Sequence, residues 1–231
     1  MRVLTHTNEF ISQLASQLGR STPTEPPKYV PINVPQYHLS DTQERSSIFL
    51  DNWQALGGKG AIVNSLEDTV RCLQEWFGDY QASWPNKDQA IVAWDMLPTL
   101  AEFAFAALEW PLVRYTQAAQ NPRDRYLLAS QAELGVTGAD WGIALSGTLV
   151  VNSTPQRGRA VSLLPPRHLA FIEASKLRDN LFEVLEELIS LGVPPSAIEM
   201  ISGPSRTSDI EMDLSIGVHG PIEVYVVLID D

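Results

Sequence analysis

The amino-acid sequence predicts an α/β fold, a mostly parallel sheet flanked by helices with a helical N-terminal appendage, and three observations carry that reading. From residue 61 onward, short runs rich in Val and Ile alternate with longer amphipathic stretches, the order of strand and crossover helix in a parallel sheet. Residues 222–229 are apolar but for Glu223, which suits a strand covered on both faces. Ahead of all this stand Pro23, Pro26, Pro27, Pro31 and Pro35, a stretch too short of backbone N–H groups for helix or central strand. Residues 1–38 are therefore expected to form a helix and a Pro-rich arm, and residues 39–231 a single α/β domain.

The elements follow in order. Phe10, Ile11, Leu14 and Leu18 recur at helical spacing over residues 8–18. Phe49, Trp53 and Leu56 mark a helix that stops at Gly57 and Gly58. The run Gly57-Gly-Lys-Gly60 lacks the spacing and the trailing hydroxyl of a phosphate-binding loop. Residues 61–63 form a short strand. Ser65 caps the next helix, in which Leu66, Val70, Leu73 and Phe77 make an apolar stripe with Cys72 beside it as core filler. Residues 89–94 read as a strand and 97–108 as an Ala-rich helix, while 111–125 carry no periodic signal. Trp141, Ile143, Leu145 and Leu149 predict a hairpin around Ser146 and Gly147. Residues 160–164 and 168–174 are expected as two strands split by Pro165 and Pro166. Leu177, Leu181, Val184, Leu185 and Leu188 then define a helix stopped by Gly192 and Pro194.

Composition limits the function classes. The chain has 231 residues, 44 % apolar and 19 % charged, a globular balance. Its net charge of −12 argues against nucleic acid or an anionic membrane surface as the main partner. One cysteine permits no internal disulfide and no four-thiolate cluster, and with scattered histidines it makes no zinc site. With neither the plan of a signal peptide nor about 20 consecutive apolar residues, a soluble cytoplasmic protein is expected.

Two polar stretches invite a functional reading. In 201–221, turns at Gly203-Pro204 and Gly220-Pro221 bracket the hydroxyls of Ser205 and Thr207, the guanidinium of Arg206, the carboxylates of Asp209 and Glu211, and the imidazole of His219. In 131–152, four glycines including Gly147 accompany Thr137, Asp140 and Thr148. Each stretch reads either as part of a site or as capped and tight turns. As a site, the two meet at one mouth and bind a small anion, with Arg206 as a bidentate fork and His219 or His168 moving a proton. There is no dinucleotide fingerprint.

The sequences Gly135-Val-Thr-Gly-Ala-Asp-Trp-Gly-Ile-Ala, Ser146-Gly-Thr-Leu, Ser162-Leu-Leu-Pro-Pro-Arg-His168, Ser202-Gly-Pro-Ser-Arg-Thr-Ser-Asp-Ile-Glu211 and Gly217-Val-His-Gly-Pro221 resemble the ordered motifs of the lactate-utilisation (LUD) domain family. The resemblance implies a fold related to the sugar-phosphate isomerase and coenzyme A transferase-like (NagB/RpiA/CoA transferase-like) superfamily. It also implies an accessory, cluster-free role in oxidising L-lactate to pyruvate beside iron–sulfur partner proteins. Members commonly carry Glu-Thr-Gly-Thr where this chain has Leu145-Ser-Gly-Thr148, so a task given to that carboxylate has no bearer here. The other readings are a stand-alone transferase or isomerase of that superfamily, and a non-catalytic assembly or regulatory protein.

Overall fold

A computed structural model describes residues 3–19, 38–39, 41–84, 88, 90–118, 121–193, 195–208, 214–216 and 220–230. The chain divides into two compact units, Met1–Gln36 and Tyr37–Asp231. In the first, helix α1 (Val3–Gln17) carries Phe10, Ile11 and Leu14 at helical spacing, with Leu18 just beyond it, and all four are exposed.

The second unit begins with α2 (Thr42–Ala55), capped by the Asp41 carboxylate on Glu44 N–H, and continues through β1 (Lys59–Val63) into α3 (Leu66–Ser83), capped by Ser65 on Asp68 N–H. Next come β2 (Ile91–Ala93), α4 (Thr99–Ala107), β3 (Val113–Arg114) and α5 (Pro122–Gln131), which starts with the Asn121 cap and Pro122 in its first turn. Then follow β4 (Leu134–Gly138), β5 (Trp141–Ile143), β6 (Thr148–Asn152), α6 (Ala160–Leu163) and β7 (Arg167–Glu173). The order ends with β8 (Leu177–Arg178), α7 (Leu181–Ser190), β9 (Ile198–Ile201), β10 (Arg206–Ser208), β11 (Leu214–Ile216) and β12 (Glu223–Ile229).

Six strands in the order β1-β12-β7-β4-β2-β3 make an all-parallel sheet. Side chains alternate along each strand, so one set faces each way. Ile91, Ala93, Val136, Phe171, Tyr225 and Val227 pack with Leu73 and Phe77 of α3 and Ala104 and Phe105 of α4. Val92, Trp94, Ala170, Ile172, Val224 and Val226 pack on the other face with Phe49 and Trp53 of α2, Ala129 of α5 and Val161 of α6. Burial on both faces is why these strands read as continuous apolar runs. A second sheet, β8-β5-β6-β9, lies against that same α2 face through Leu149 and Val151, and α7 closes its far side on Ile143 and Val150.

Residues 160–163, expected as a strand, are a single helical turn. Pro165 and Pro166 offer no N–H to a ladder, and Leu163 and Leu164 bond back to the carbonyls of Arg159 and Ala160. That turn sits directly on β4, since a Cβ on Gly135 would lie 1.9 Å from the Val161 carbonyl oxygen. The strand β3 and the start of the helix α5 fall in the stretch 111–125 that carried no periodic signal.

The topology fixes where a ligand can enter. From β2 the chain leaves to α4 on one face, and from the neighbouring β4 it leaves to β5, β6 and α6 on the other. Diverging connections open a crevice at the carboxyl ends of the two strands, the usual binding place in an open α/β sheet.

Gly135→Ala should destabilise by about 2–3 kcal/mol, because the obstacle is backbone that cannot swing aside. Gly78→Ala in α3, where an added Cβ meets nothing within 4 Å, should stabilise by about 0.5–1 kcal/mol. Urea denaturation of the two variants checks the opposite signs.

Candidate functional site

The crevice holds a cavity of about 180 Å³ walled by the β2–α4 turn, by the residues after β4 and β7, and by Arg157. Trp94 extends β2 by one bond, donating its N–H to the Val136 carbonyl, and its own carbonyl accepts from Arg114 Nη1 at 2.9 Å. The Trp94 ring is buried, and its Nε1 donates to the Gly158 carbonyl at 3.3 Å. Arg157 lies on it, with the guanidinium carbon 5.2 Å from the ring centroid. Arg157 Nη1 also donates to Asp140 Oδ1 at 2.7 Å, while Asp140 Oδ2 accepts the Asn152 N–H at 2.8 Å. Lys176 pairs with Glu173 at 2.8 Å on the β7 side of the cavity. Pro98 opens α4 without a side-chain cap, so the positive end of that helix also faces this wall.

The arrangement can bind a small carboxylate. Two cations line the cavity and each is matched by one carboxylate, leaving the local charge balanced. Among the described residues one guanidinium donor of Arg157 is bonded to a side chain, so the fork keeps donors for an incoming acid. Trp94, Met96, Leu97 and Ala139 supply apolar wall.

Of the candidate site residues that are described, Asp140 lines this cavity. Thr137 and His168 are brought together, Oγ1 to Nε2 at 2.9 Å, but both are fully buried between the sheet and its helices. Burial pushes the His168 imidazole down to about 4, and among the described residues its Nδ1 has no partner, so it is a neutral interior group. The two glycine-rich stretches touch elsewhere, where Thr148 Oγ1 meets Ser202 Oγ at 2.8 Å. Gly147 serves packing there: it has φ +56°, and a Cβ would lie 2.5 Å from Trp53 N on α2. Thr148 and Asp140 stand at opposite ends of the β5–β6 ladder, about 10 Å apart along it at strand rise. Ser205 N–H donates to the Pro221 carbonyl at 3.0 Å, ahead of β12. Arg206 and Thr207 lie on β10, paired with β11, and Asp209, Glu211 and His219 fall outside the described residues.

Trp94, Arg157 and Lys176 were missed by sequence reasoning. The available signal was positional: a strand ending at Trp94 just before Pro98 marks a carboxyl edge, the side on which sites form.

One group resembles a metal site, with His38, Asp179 and Glu183 bringing ligand atoms within 4.8 Å of one another. Asp179 is already filled, accepting from Arg45 Nε at 2.6 Å and Leu39 N–H at 2.9 Å. Burial opposes ionisation of Asp179, yet Arg45 and the Leu39 N–H hold its carboxyl below the usual range. A metal would have to displace the guanidinium, so this cluster is a structural lock.

The model of the LUD domain family matches residues 47–229. Lactate utilization protein C from Bacillus velezensis is 40 % identical, the match covering 99 % of this chain and 97 % of that one. The proteins of the same name from Geobacillus kaustophilus and an Exiguobacterium species are 35 % and 32 % identical, covering 96 % and 99 % of this chain and 95 % and 97 % of theirs. Among solved structures, a DUF162 family protein from Deinococcus radiodurans superposes with a TM-score of 0.57 at 17 % identity, covering 83 % of this chain and 99 % of that one, a likeness of fold.

His168 gives the fold a pH dependence. Its folded pKa of about 4 lies below the ordinary 6.5, so the unfolded chain binds the extra proton first, and stability held above pH 6.5 is lost as pH falls toward 4. The contribution is about 3 kcal/mol. Glu199 acts the other way in the neighbouring range, because burial raises its carboxyl pKa. Urea titrations of wild type and His168→Gln between pH 7 and 4 separate the two: the acid-side slope should be shallower in the variant.

Proposed function

The chain belongs to the LUD domain family, and from that premise we propose that it is an accessory, cluster-free component of an L-lactate oxidation system, acting in the cytoplasm beside iron–sulfur proteins. The observation that carries this reading is the near full-length similarity to proteins named Lactate utilization protein C. Oxidising lactate to pyruvate releases two electrons and two protons, which need a carrier. The chain's one thiol, Cys72, is buried and pushed up to about 12, chiefly by burial, so it offers no thiolate for a cluster at neutral pH. The electrons therefore pass to partners, and this chain's part is to hold the acid.

The crevice at the ends of β2 and β4 is the place for it. At about 180 Å³ it falls below the range of roughly 300–1,000 Å³ usual for drug-sized ligands and cofactors, and suits a three-carbon acid better than coenzyme A or a dinucleotide. Arg157 takes the carboxylate by its remaining donors, with the Trp94 ring beside the guanidinium. At residue 145 the chain presents Leu in a tight turn, which argues against a covalent carboxylate mechanism of the transferase kind.

Titration calorimetry of the full chain with L-lactate and pyruvate should detect binding. Arg157→Ala should weaken it tenfold or more, at least about 1.4 kcal/mol, and Arg157→Lys should recover part of the loss. Mixed with the iron–sulfur partner proteins, the wild-type chain should raise lactate-dependent dye reduction. Stabilisation by coenzyme A or sugar phosphates with no response to lactate would replace this reading with the transferase or isomerase one.

A further inference from the structure

Larger hollows lie away from the crevice, along the open edge of the sheet. Cavities of about 570 and 410 Å³ flank Trp76 and share Glu75 and Trp76 as lining, so together they form one trough between β1 and α3. β1 is the end strand of the parallel sheet, bonded to β12 on one side. Asp230 N–H donates to the Val63 carbonyl at 2.9 Å, so Val63 faces β12. By the alternation of a parallel ladder, Ile62 then turns its N–H and C=O to the open side. Exposed edges are commonly closed by a charge, a proline or a covering element, but here Lys59 stands only at the start of the strand and Ile62 is 45 % exposed.

The trough also has an uncompensated charge. Glu75 and Asp79 sit one turn apart on the exposed face of α3, a like-charge pair that costs the helix stability. Both cations of the lining are engaged elsewhere, Lys59 with Glu223 at 3.4 Å and Arg71 with Asp68. Among the described residues neither Glu75 nor Asp79 is ion-paired. Trp76 and Tyr80 share this lining, and the Tyr80 ring already carries the Arg167 guanidinium, 4.0 Å from its centroid.

We propose that this trough is a docking site for an extended, basic segment of a partner protein, which joins the sheet as a further strand beside β1. The segment bonds to the outward backbone groups of Ile62. Its alternate side chains on the α3 side are Lys or Arg, which lie along Trp76 and end on Glu75 and Asp79. The net charge of −12 favours the approach of such a segment at low salt. The inference is independent of what the crevice binds.

The test uses the full chain with two synthetic hexapeptides, one alternating Lys and Val and the other alternating Glu and Val, read by amide hydrogen exchange. The basic peptide should slow exchange over residues 60–64 at least tenfold, an effect that weakens as salt rises. Glu75→Lys and Asp79→Lys should each cut that protection at least fivefold. Ile62→Pro, which removes the outward N–H of an edge position, should abolish it. Failure of the basic peptide to bind, or equal protection by both peptides, overturns the proposal. So does protection of 60–64 that rises with protein concentration alone, which would make a second copy the occupant.

Discussion

Trp94 is where the core of this protein becomes its site. Its ring belongs to the interior layer with Val92, Ala170 and Val226, while the face left toward the crevice carries Arg157. The ring cannot shift without opening that layer, so it offers the guanidinium a fixed surface to lie on. The forces on Arg157 are individually small. A cation–π contact at a partly exposed site contributes about 0.5–2 kcal/mol and a partly exposed ion pair about 1 kcal/mol or less. Arg157 keeps 41 % of its side chain exposed, so its pairing with Asp140 is solvent-screened. A carboxylate ligand that exchanges with Asp140, or joins it on the fork, therefore meets little resistance. Asp140 stays in place meanwhile because its second oxygen is held by the Asn152 N–H.

That arrangement depends on chain order in the sheet more than on any motif. Trp94 and Asp140 are 46 positions apart and meet only because β2 and β4 are neighbours with connections leaving to opposite faces. Periodicity reports which face of a strand is buried, not which strand lies beside it. The parallel α/β plan was thus legible from residues such as Tyr225, Val226 and Val227, whereas the crevice was not. The helix α5 escaped for a related reason: Ala129 is its one buried residue, so it presents no apolar stripe. The turn at 160–163 was taken for a strand because a run of four mostly apolar residues fits either state, and the contact of Val161 with Gly135 that decides it is tertiary.

Two glycines of the glycine-rich stretches have a packing reason that sequence does not distinguish from a ligand-binding one. A glycine is required wherever backbone comes close, whether the approaching group is a ligand or the protein itself. At Gly135 and Gly147 the approaching group is protein, α6 in one case and α2 in the other. The buried pair Thr137 and His168 belongs with them, because it is sealed beneath the layer those glycines let close. Among the described residues Nδ1 of His168 is left without a partner, which leaves the pair a cost to stability that the surrounding apolar contacts must exceed.

The distribution of charge gives the molecule two different faces to its partners. Within the crevice each cation is matched by a carboxylate, so a small acid is met by local geometry rather than drawn in by field. At ordinary ionic strength the overall negative charge is screened beyond about 8 Å, which confines its repulsion of such an acid to close range. Along β1 the balance tips negative, with Glu75 and Asp79 uncompensated beside open backbone groups. β1 and β2 are separated by β12, β7 and β4, about 19 Å at the usual strand spacing, so the two places lie at different parts of one rigid sheet. At that distance the proposed acid site and the proposed docking site are separable, each open to change by substitution without loss of the other.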